Sequence, residues 1–244
     1  MRVARVHVPP PLVQGSKVTL PDSVAYHLTK VLRMRAGALV IVFDGIGNEH
    51  YAEILTLDSK QVTIRIEEAI RGDTESPLQI TLVQGVSRAE RMDWTLQKAT
   101  ELGVHAIAPV ITSRSVVRLD DRQANKKLEH WQAIVVSACE QSGRRVIPVV
   151  HAPVRLHDYF AKSNADNLRL VLDPEATITL TNQPRPLKDV ELLIGPEGGL
   201  DDDELQRAVT TGFTPVRLGP RILRTETASV VALSVMQALW GDLQ

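Results

Sequence analysis

The stretch LLIGPEGGLDDDEL, residues 192–205, joins an apolar run to a glycine-rich turn and then to an acidic cluster. Leu192, Leu193 and Ile194 read as the end of a buried strand. Gly195, Pro196, Glu197, Gly198 and Gly199 cannot continue it, because Pro lacks a ladder donor and Gly is conformationally loose. Asp201, with Glu204 three residues later, is the pattern of a capped helix start. A strand, a Gly-rich loop and a helix in that order belong to an α/β domain. Such domains take ligands at the carboxyl ends of parallel strands.

The same rhythm extends on both sides. ITLVQGV, AIAPVI, LRLVLDP, VELLIGP and TPVRLG read as strands,. Between them, DWTLQKATELGV reads as a helix capped by Asp93 and stopped by Gly103, with Met92, Leu96, Ala99 and Leu102 on one face,. NKKLEHWQAIVVSACEQSGR reads as a longer helix facing inward through Leu128, Trp131, Val135 and Ala138,. DDDELQRAVTTGF is expected to end at Gly212. TETASVVALSVMQALWGDL closes the chain as a helix apolar on nearly every side, which points to burial or a subunit interface,. Alternating strands and helices predict a mostly parallel sheet.

The first seventy or so residues follow another pattern. KVTL, ALVIVF, YAEILTL and QVTIRIEEAI are short, β-branched and punctuated by Gly, Pro and Asp, as in a small β-barrel,. DSVAYHLTKVLRMRAG reads as one helix beside it, capped by Asp22 or Ser23 and stopped by Gly37,. RGDTESPL, residues 71–78, is polar and reads as a linker,.

Composition sets bounds. The 244 residues are 43% hydrophobic, enough to bury a core, and no apolar run is long enough to cross a bilayer,. The N-terminal MRVARVHVPPP is too broken by Arg and Pro to be a signal peptide, and Cys139 is the single cysteine. A reducing, cytoplasmic location is the expectation. Net charge is −1, yet Arg2 to Arg35 hold six basic residues and one acid, while Ala36 to Glu75 hold three basic residues and eight acids. A neutral chain can therefore present a basic face to nucleic acid. The seven histidines are scattered without Cys/His clustering, so no metal is expected,.

A second loop, RLGPRILRTETAS (217–229), again leaves a strand through Leu-Gly-Pro and enters a helix. Neither loop carries a nucleotide fingerprint, and Glu197 would repel phosphate. A ligand without phosphate that needs close backbone approach fits better. S-adenosylmethionine is one, since its sulfonium and ammonium tolerate nearby acids.

IGPEGG followed by a capped helix, then LGPRILRTETA, resembles the two cofactor loops of the SPOUT methyltransferases, and in particular the RsmE family, which methylates N3 of a uridine in 16S ribosomal RNA. QKATELGV (97–104), ACEQSGR (138–144) and HLTKVLRMRAG (27–37) are similar to that family too, so the likeness runs through nearly the whole chain. The resemblance implies a PUA-like β-barrel for RNA over 1–72. It implies a SPOUT methyltransferase domain over 76–244, with a parallel sheet and a C-terminal trefoil knot. It also implies a homodimer acting on the small ribosomal subunit. S-adenosylmethionine would be held by Leu172, Gly195, Pro196, Glu197, Gly198, Leu218, Gly219, Ile222, Leu223 and Arg224.

The chemistry narrows the catalytic residues. Uracil N3 carries a proton that must leave before its lone pair can attack, so a base or an anion-stabilising cation is required. Arg224 is the electrostatic candidate and Glu226 the carboxylate that orients it or takes the proton; Glu101 and Glu140 are further carboxylates in the motifs. His27, Lys30, Arg33 and Arg35, near the short helix, and Arg88 and Arg91, before QKATELGV, are expected RNA contacts. Arg114, Arg144 and Arg145 are additional ones. Cys139, Trp94, Trp131 and Trp240 read as core or interface. The rival readings are a SPOUT methyltransferase acting on another RNA or on a ribose 2′-OH, and a non-catalytic RNA-binding module. A Rossmann nucleotide enzyme is disfavoured by the single glycine of ITLVQGVSRAERMD.

Overall fold

The computed structural model describes residues 3–58, 61–115, 121–161, 167–186 and 189–243. The chain forms two units, one of Met1–Glu75 with Cys139–Ile147, the other of Ser76–Ala138 with Pro148–Gln244.

The first unit is built on a five-stranded mixed sheet. Its strands are β1 (Arg5–His7), β2 (Lys17–Thr19), β3 (Leu39–Phe43), β4 (Glu49–Leu57) and β5 (Val62–Ala69), in the order β1-β3-β4-β5-β2. β3 and β4 form an antiparallel hairpin. β1, which the sequence reading missed, runs parallel to β3. Val62, Ile64 and Ile66 alternate inward along β5 and meet Val40, Val42, Ala52 and Ile54 in one core,. The helix beside the sheet is shorter than expected. α1 (Asp22–Tyr26) starts after Pro21 with no side-chain cap and passes into a π-helical turn at His27–Val31. Ala25 and Leu28 bury its inner face. Arg33 then takes a φ of +51°, a left-handed conformation rare for a side-chain-bearing residue, which breaks the helix four residues before Gly37,.

The ACEQSGR motif is structural here. Arg5 Nε lies 2.6 Å from Glu49 Oε1, and the Arg5 guanidinium also donates to Cys139 O at 2.6 Å and Arg144 O at 2.7 Å. Arg145 Nη2 stands 2.9 Å from Glu49 Oε2, Arg144 Nε donates to Glu75 at 3.0 Å, and His7 N–H donates to Glu140 Oε1 at 3.0 Å. Arg144 and Arg145 are 6% and 7% exposed, so neither is the RNA contact proposed for it, and Glu140 holds β1 rather than a substrate proton. Arg145 also takes the Ile70 carbonyl, so the polar 71–78 stretch is pinned at its start. Burial pushes the Cys139 thiol up to about 12, as befits a core residue,.

The second unit carries a parallel sheet. Its strands are β6 (Ile80–Gly85), β7 (Ala106–Ile111), β8 (Val149–Val150), β9 (Val154–Arg155), β10 (Leu168–Leu172), β11 (Val190–Ile194) and β12 (Thr214–Val216), in the order β12-β10-β11-β6-β7-β8, with β9 also paired to β7. The helices are α2 (Ala89–Glu101), α3 (Asp121–Ser142), α4 (Leu156–Phe160), α5 (Asp202–Thr210) and α6 (Thr225–Trp240). α2 starts four residues before Asp93, with Arg88 at its N-cap, so Asp93 is not the cap. Every residue of β11 is buried, as expected of a strand covered on both faces,. Val83, Ala108, Val171, Leu193 and Phe213 pack one face with Leu156, Phe160 and Ala208. α6 is buried along one stripe only, through Ala232, Leu233, Met236 and Trp240, while Ala238 and Leu239 are exposed. Trp131 and Trp240 are core residues, but Trp94 is 41% exposed. Among the described residues no helix is long and apolar enough to cross a membrane.

Candidate active site

All strands of the second sheet run parallel, so the carboxyl ends of β6, β10, β11 and β12 open along one edge. Residues 195–200 leave β11 there and residues 217–224 leave β12, which brings the two Gly-Pro loops to one side of the sheet,.

The first loop is shaped by close backbone contact. A Cβ on Gly85, at the end of β6, would stand 2.4 Å from Pro196 N. A Cβ on Gly195 would stand 2.8 Å from Gly199 C, and one on Gly198 would stand 3.0 Å from Arg114 Cβ. Gly199 closes the turn with a φ of +71° and donates its N–H to Pro196 O at 2.9 Å. The acidic cluster behind the loop is a helix cap. Asp201 accepts from Glu204 N–H at 2.7 Å, and Glu204 accepts from Asp201 N–H at 3.1 Å,. Glu204 also accepts from Ser113 N–H at 2.7 Å, and Arg114 donates to Gly198 O at 3.0 Å. Arg114 therefore serves the loop backbone. The hydrogen bond between Asp201 and Ser113, with that from Glu204 N–H, holds the Asp201 carboxyl below the usual range.

Glu197 points to the start of α2. Its Oε1 accepts from Arg88 N–H at 3.0 Å and lies 3.2 Å from Arg91 Nη1. Burial pushes the carboxyl up, but the Arg88 N–H, its own N–H and Arg91 together carry it below the ordinary value,. Arg91 Nε stands 3.9 Å from Glu226 Oε1, so one guanidinium links the Gly-rich loop to the first turn of α6. Glu197 Oε2 and Glu226 Oε2 are both buried without a hydrogen-bond partner. An orphaned carboxylate oxygen on the Gly-rich loop and another at the start of α6 are what a donor-bearing ligand would satisfy,.

The remaining residues take their places around this centre. Leu172, at the end of β10, and Leu218, Gly219 and Leu223 in the second loop are half-buried. Ile222 is 85% exposed, and Arg224 is exposed at the N-cap of α6. Arg88 is exposed, whereas Arg91 is committed to the two carboxylates. Glu101 lies ten residues along α2 from Arg91, roughly 15 Å away along the helix axis, and pairs with Lys98 at 2.7 Å,. It is not part of this site. In the first unit His27, Lys30, Arg33 and Arg35 are all exposed, together with Tyr26, Val31 and Leu32.

Sequence reasoning missed one group. Gln84, Thr225 and Ser229 are buried and hydrogen-bonded to each other beneath the loop. The signal was a lone amide in the otherwise apolar ITLVQGV.

The RNA methyltransferase domain family matches residues 74–237, and the RNA methyltransferase PUA domain family matches residues 20–67. Fold and site thus define an RNA methyltransferase. The chain is 33% identical over 243 residues to ribosomal RNA small subunit methyltransferase E of Buchnera aphidicola subsp. Acyrthosiphon pisum, covering 100% of this chain and 96% of that one. A solved structure of ribosomal RNA small subunit methyltransferase E from Neisseria gonorrhoeae bound to S-adenosyl methionine matches with a TM-score of 0.94 and 41% identity, over 100% of both chains. A methyltransferase from Legionella pneumophila in complex with the cofactor SAM matches with a TM-score of 0.96 and 41% identity, again over 100% of both. The chain belongs to the ribosomal RNA small subunit methyltransferase E family.

Proposed function

We propose that this protein is an S-adenosylmethionine-dependent methyltransferase that modifies N3 of a specific uridine in the 16S rRNA of the small ribosomal subunit. The observation that carries the reading is the loop at the carboxyl edge of the sheet, pressed against Gly85 so closely that no side chain fits there. The ionised Glu197 within it disfavours phosphate and suits a sulfonium or ammonium group,. Leu172, Gly195, Pro196, Glu197, Gly198, Leu218, Gly219, Ile222, Leu223 and Arg224 hold the cofactor. When bound, it supplies a methyl group already activated on a sulfonium, so the protein's contribution is position and exclusion of water.

The acceptor needs more help. Arg224, at the free N-cap of α6, stabilises the uracil anion,. Glu226, in the first turn of the helix with an unpartnered Oε2, accepts the N3 proton,. His27, Lys30, Arg33, Arg35 and Arg88 contact RNA phosphates. Arg91, held by Glu197 and Glu226, serves the loops instead. The outer side of α6, with Val230, Val231 and Val235 half-buried and Leu239 exposed, is the proposed homodimer face. A C-terminal trefoil knot and a cytoplasmic location complete the reading.

Calorimetric titration with S-adenosylmethionine and turnover of Arg224→Ala test it. The variant is expected to bind cofactor more weakly and, at saturating S-adenosylmethionine, to lose about 10²-fold in kcat. A near wild-type rate would remove Arg224 from the mechanism, and a monomeric mass at micromolar concentration would remove the dimer.

A further inference from the structure

We infer that Gln84, Thr225 and Ser229 form a directional hydrogen-bond relay that aims the Gly195 carbonyl and so positions the cofactor loop. The inference rests on the assignment of S-adenosylmethionine to residues 195–198.

A buried amide in a core strand is costly unless its polar atoms are paired. Gln84 is 1% exposed and all its groups are used. Its Nε2 faces Gly85 O at 3.2 Å, an atom that can only accept, which fixes the amide orientation,. The same Nε2 donates to Thr225 Oγ1 at 3.0 Å. Ser229 Oγ donates to Gln84 Oε1 at 2.8 Å and also contacts Thr225 O at 2.9 Å. Thr225 has one hydroxyl proton. Because it receives from Gln84, that proton is free to go to Gly195 O, at 2.7 Å. The relay therefore runs one way, from the Gln84 amide through Thr225 to the loop.

The end point is well chosen. The peptide unit after Gly195 belongs to Pro196, which has no N–H. The Gly195 carbonyl is then the only hydrogen-bonding handle on that peptide plane. The same plane sets Pro196 N against Gly85, where no slack exists. Gln84, Thr225 and Ser229 touch no reacting atom in this account, so they are positioning residues. Two of them stand on α6 and one on β6, which locks the first turn of α6, with Glu226, to the loop leaving β11.

The test compares Thr225→Val, Thr225→Ser, Gln84→Met and their double variant, with S-adenosylmethionine as the probe in calorimetry. Thr225→Val and Gln84→Met are each expected to weaken binding about tenfold, the double variant no further, and Thr225→Ser to recover most of the affinity. A role confined to stability would lower melting temperatures and leave the Kd of folded protein unchanged, which would overturn the relay. Losses that add in the double variant would overturn it too. Ligand-free hydrogen exchange separates this from the functional reading. Thr225→Val should speed exchange at Gly198 and Gly199 relative to the amides of β6, even in a protein that binds no S-adenosylmethionine. Unchanged exchange at those glycines would end the proposal while leaving the methyltransferase reading intact.

Discussion

Gly85→Ala is the smallest change that tests how the site is built. The added Cβ would lie 2.4 Å from Pro196 N and 2.5 Å from Pro196 Cδ, where ordinary contact begins at 3.4 Å. Neither neighbour can swing away. One is backbone and the other is a ring atom tied to it. The loop must therefore retreat by about 1 Å, and overpacking of this kind costs about 1–3 kcal/mol. A displacement of about 1 Å in a positioning element costs on the order of 10²-fold in turnover. For a chain of this size a loss of that order lowers Tm by roughly 2–4 °C per kcal/mol, so the variant stays folded at assay temperature. The expected result is a modest fall in Tm with a hundredfold fall in kcat/KM for methyl transfer to small ribosomal subunits. A Gly85→Ala protein with wild-type kcat/KM would show that the contact between β6 and the Gly-rich loop does not shape the active site.

Three further outcomes are expected. Glu197 titrates below its ordinary value of 4.5, so its contribution to stability is present above that value and lost as pH falls through the folded one,. The stability difference between wild type and Glu197→Gln, followed by urea unfolding, should therefore shrink on acidification below about pH 4.5; a pH-independent difference would contradict the pairing with Arg91 and Arg88. Arg145→Met leaves Glu49 short of a partner in a pair whose side chains are 9% and 8% exposed, and should destabilise the protein by about 3–5 kcal/mol in the same assay,; a loss under about 1 kcal/mol would mark the cluster as incidental. The triple variant Lys30→Ala, Arg33→Ala, Arg35→Ala should weaken rRNA binding and flatten its dependence on salt, with the log–log slope reduced by about 2–3; an unchanged slope would move the RNA contact elsewhere.

The sheet was legible because its signals are local. Five of the parallel strands are apolar runs bounded by Gly, Pro or Asp, and the Asp201–Glu204 box announces α5 without help from the rest of the chain,. β1 was not legible. RVH has no pattern of its own and is held by Arg5 and by the amide of His7 reaching groups more than a hundred residues away. The short helix ends before its sequence signal because the first left-handed residue falls at Arg33, four residues ahead of Gly37, and nothing in an arginine announces that conformation. At the site, the two Gly-Pro loops could be read from sequence because tight turns demand those residues. The roles of charged residues could not. Arg91, Arg144 and Arg145 look alike in sequence, yet each is spoken for by carboxylates from a distant element. Gln84 escaped for the same reason, since its partners Thr225 and Ser229 lie some 140 residues downstream.

The most direct measurement is methyl transfer itself. Purified protein and labelled S-adenosylmethionine are incubated with small ribosomal subunits lacking the modification, and the rRNA is digested to nucleosides. The account predicts label in 3-methyluridine and none in Gly85→Ala beyond about a hundredth of the wild-type rate. Label in a 2′-O-methylated nucleoside, or no label from a protein that binds the cofactor, would contradict it.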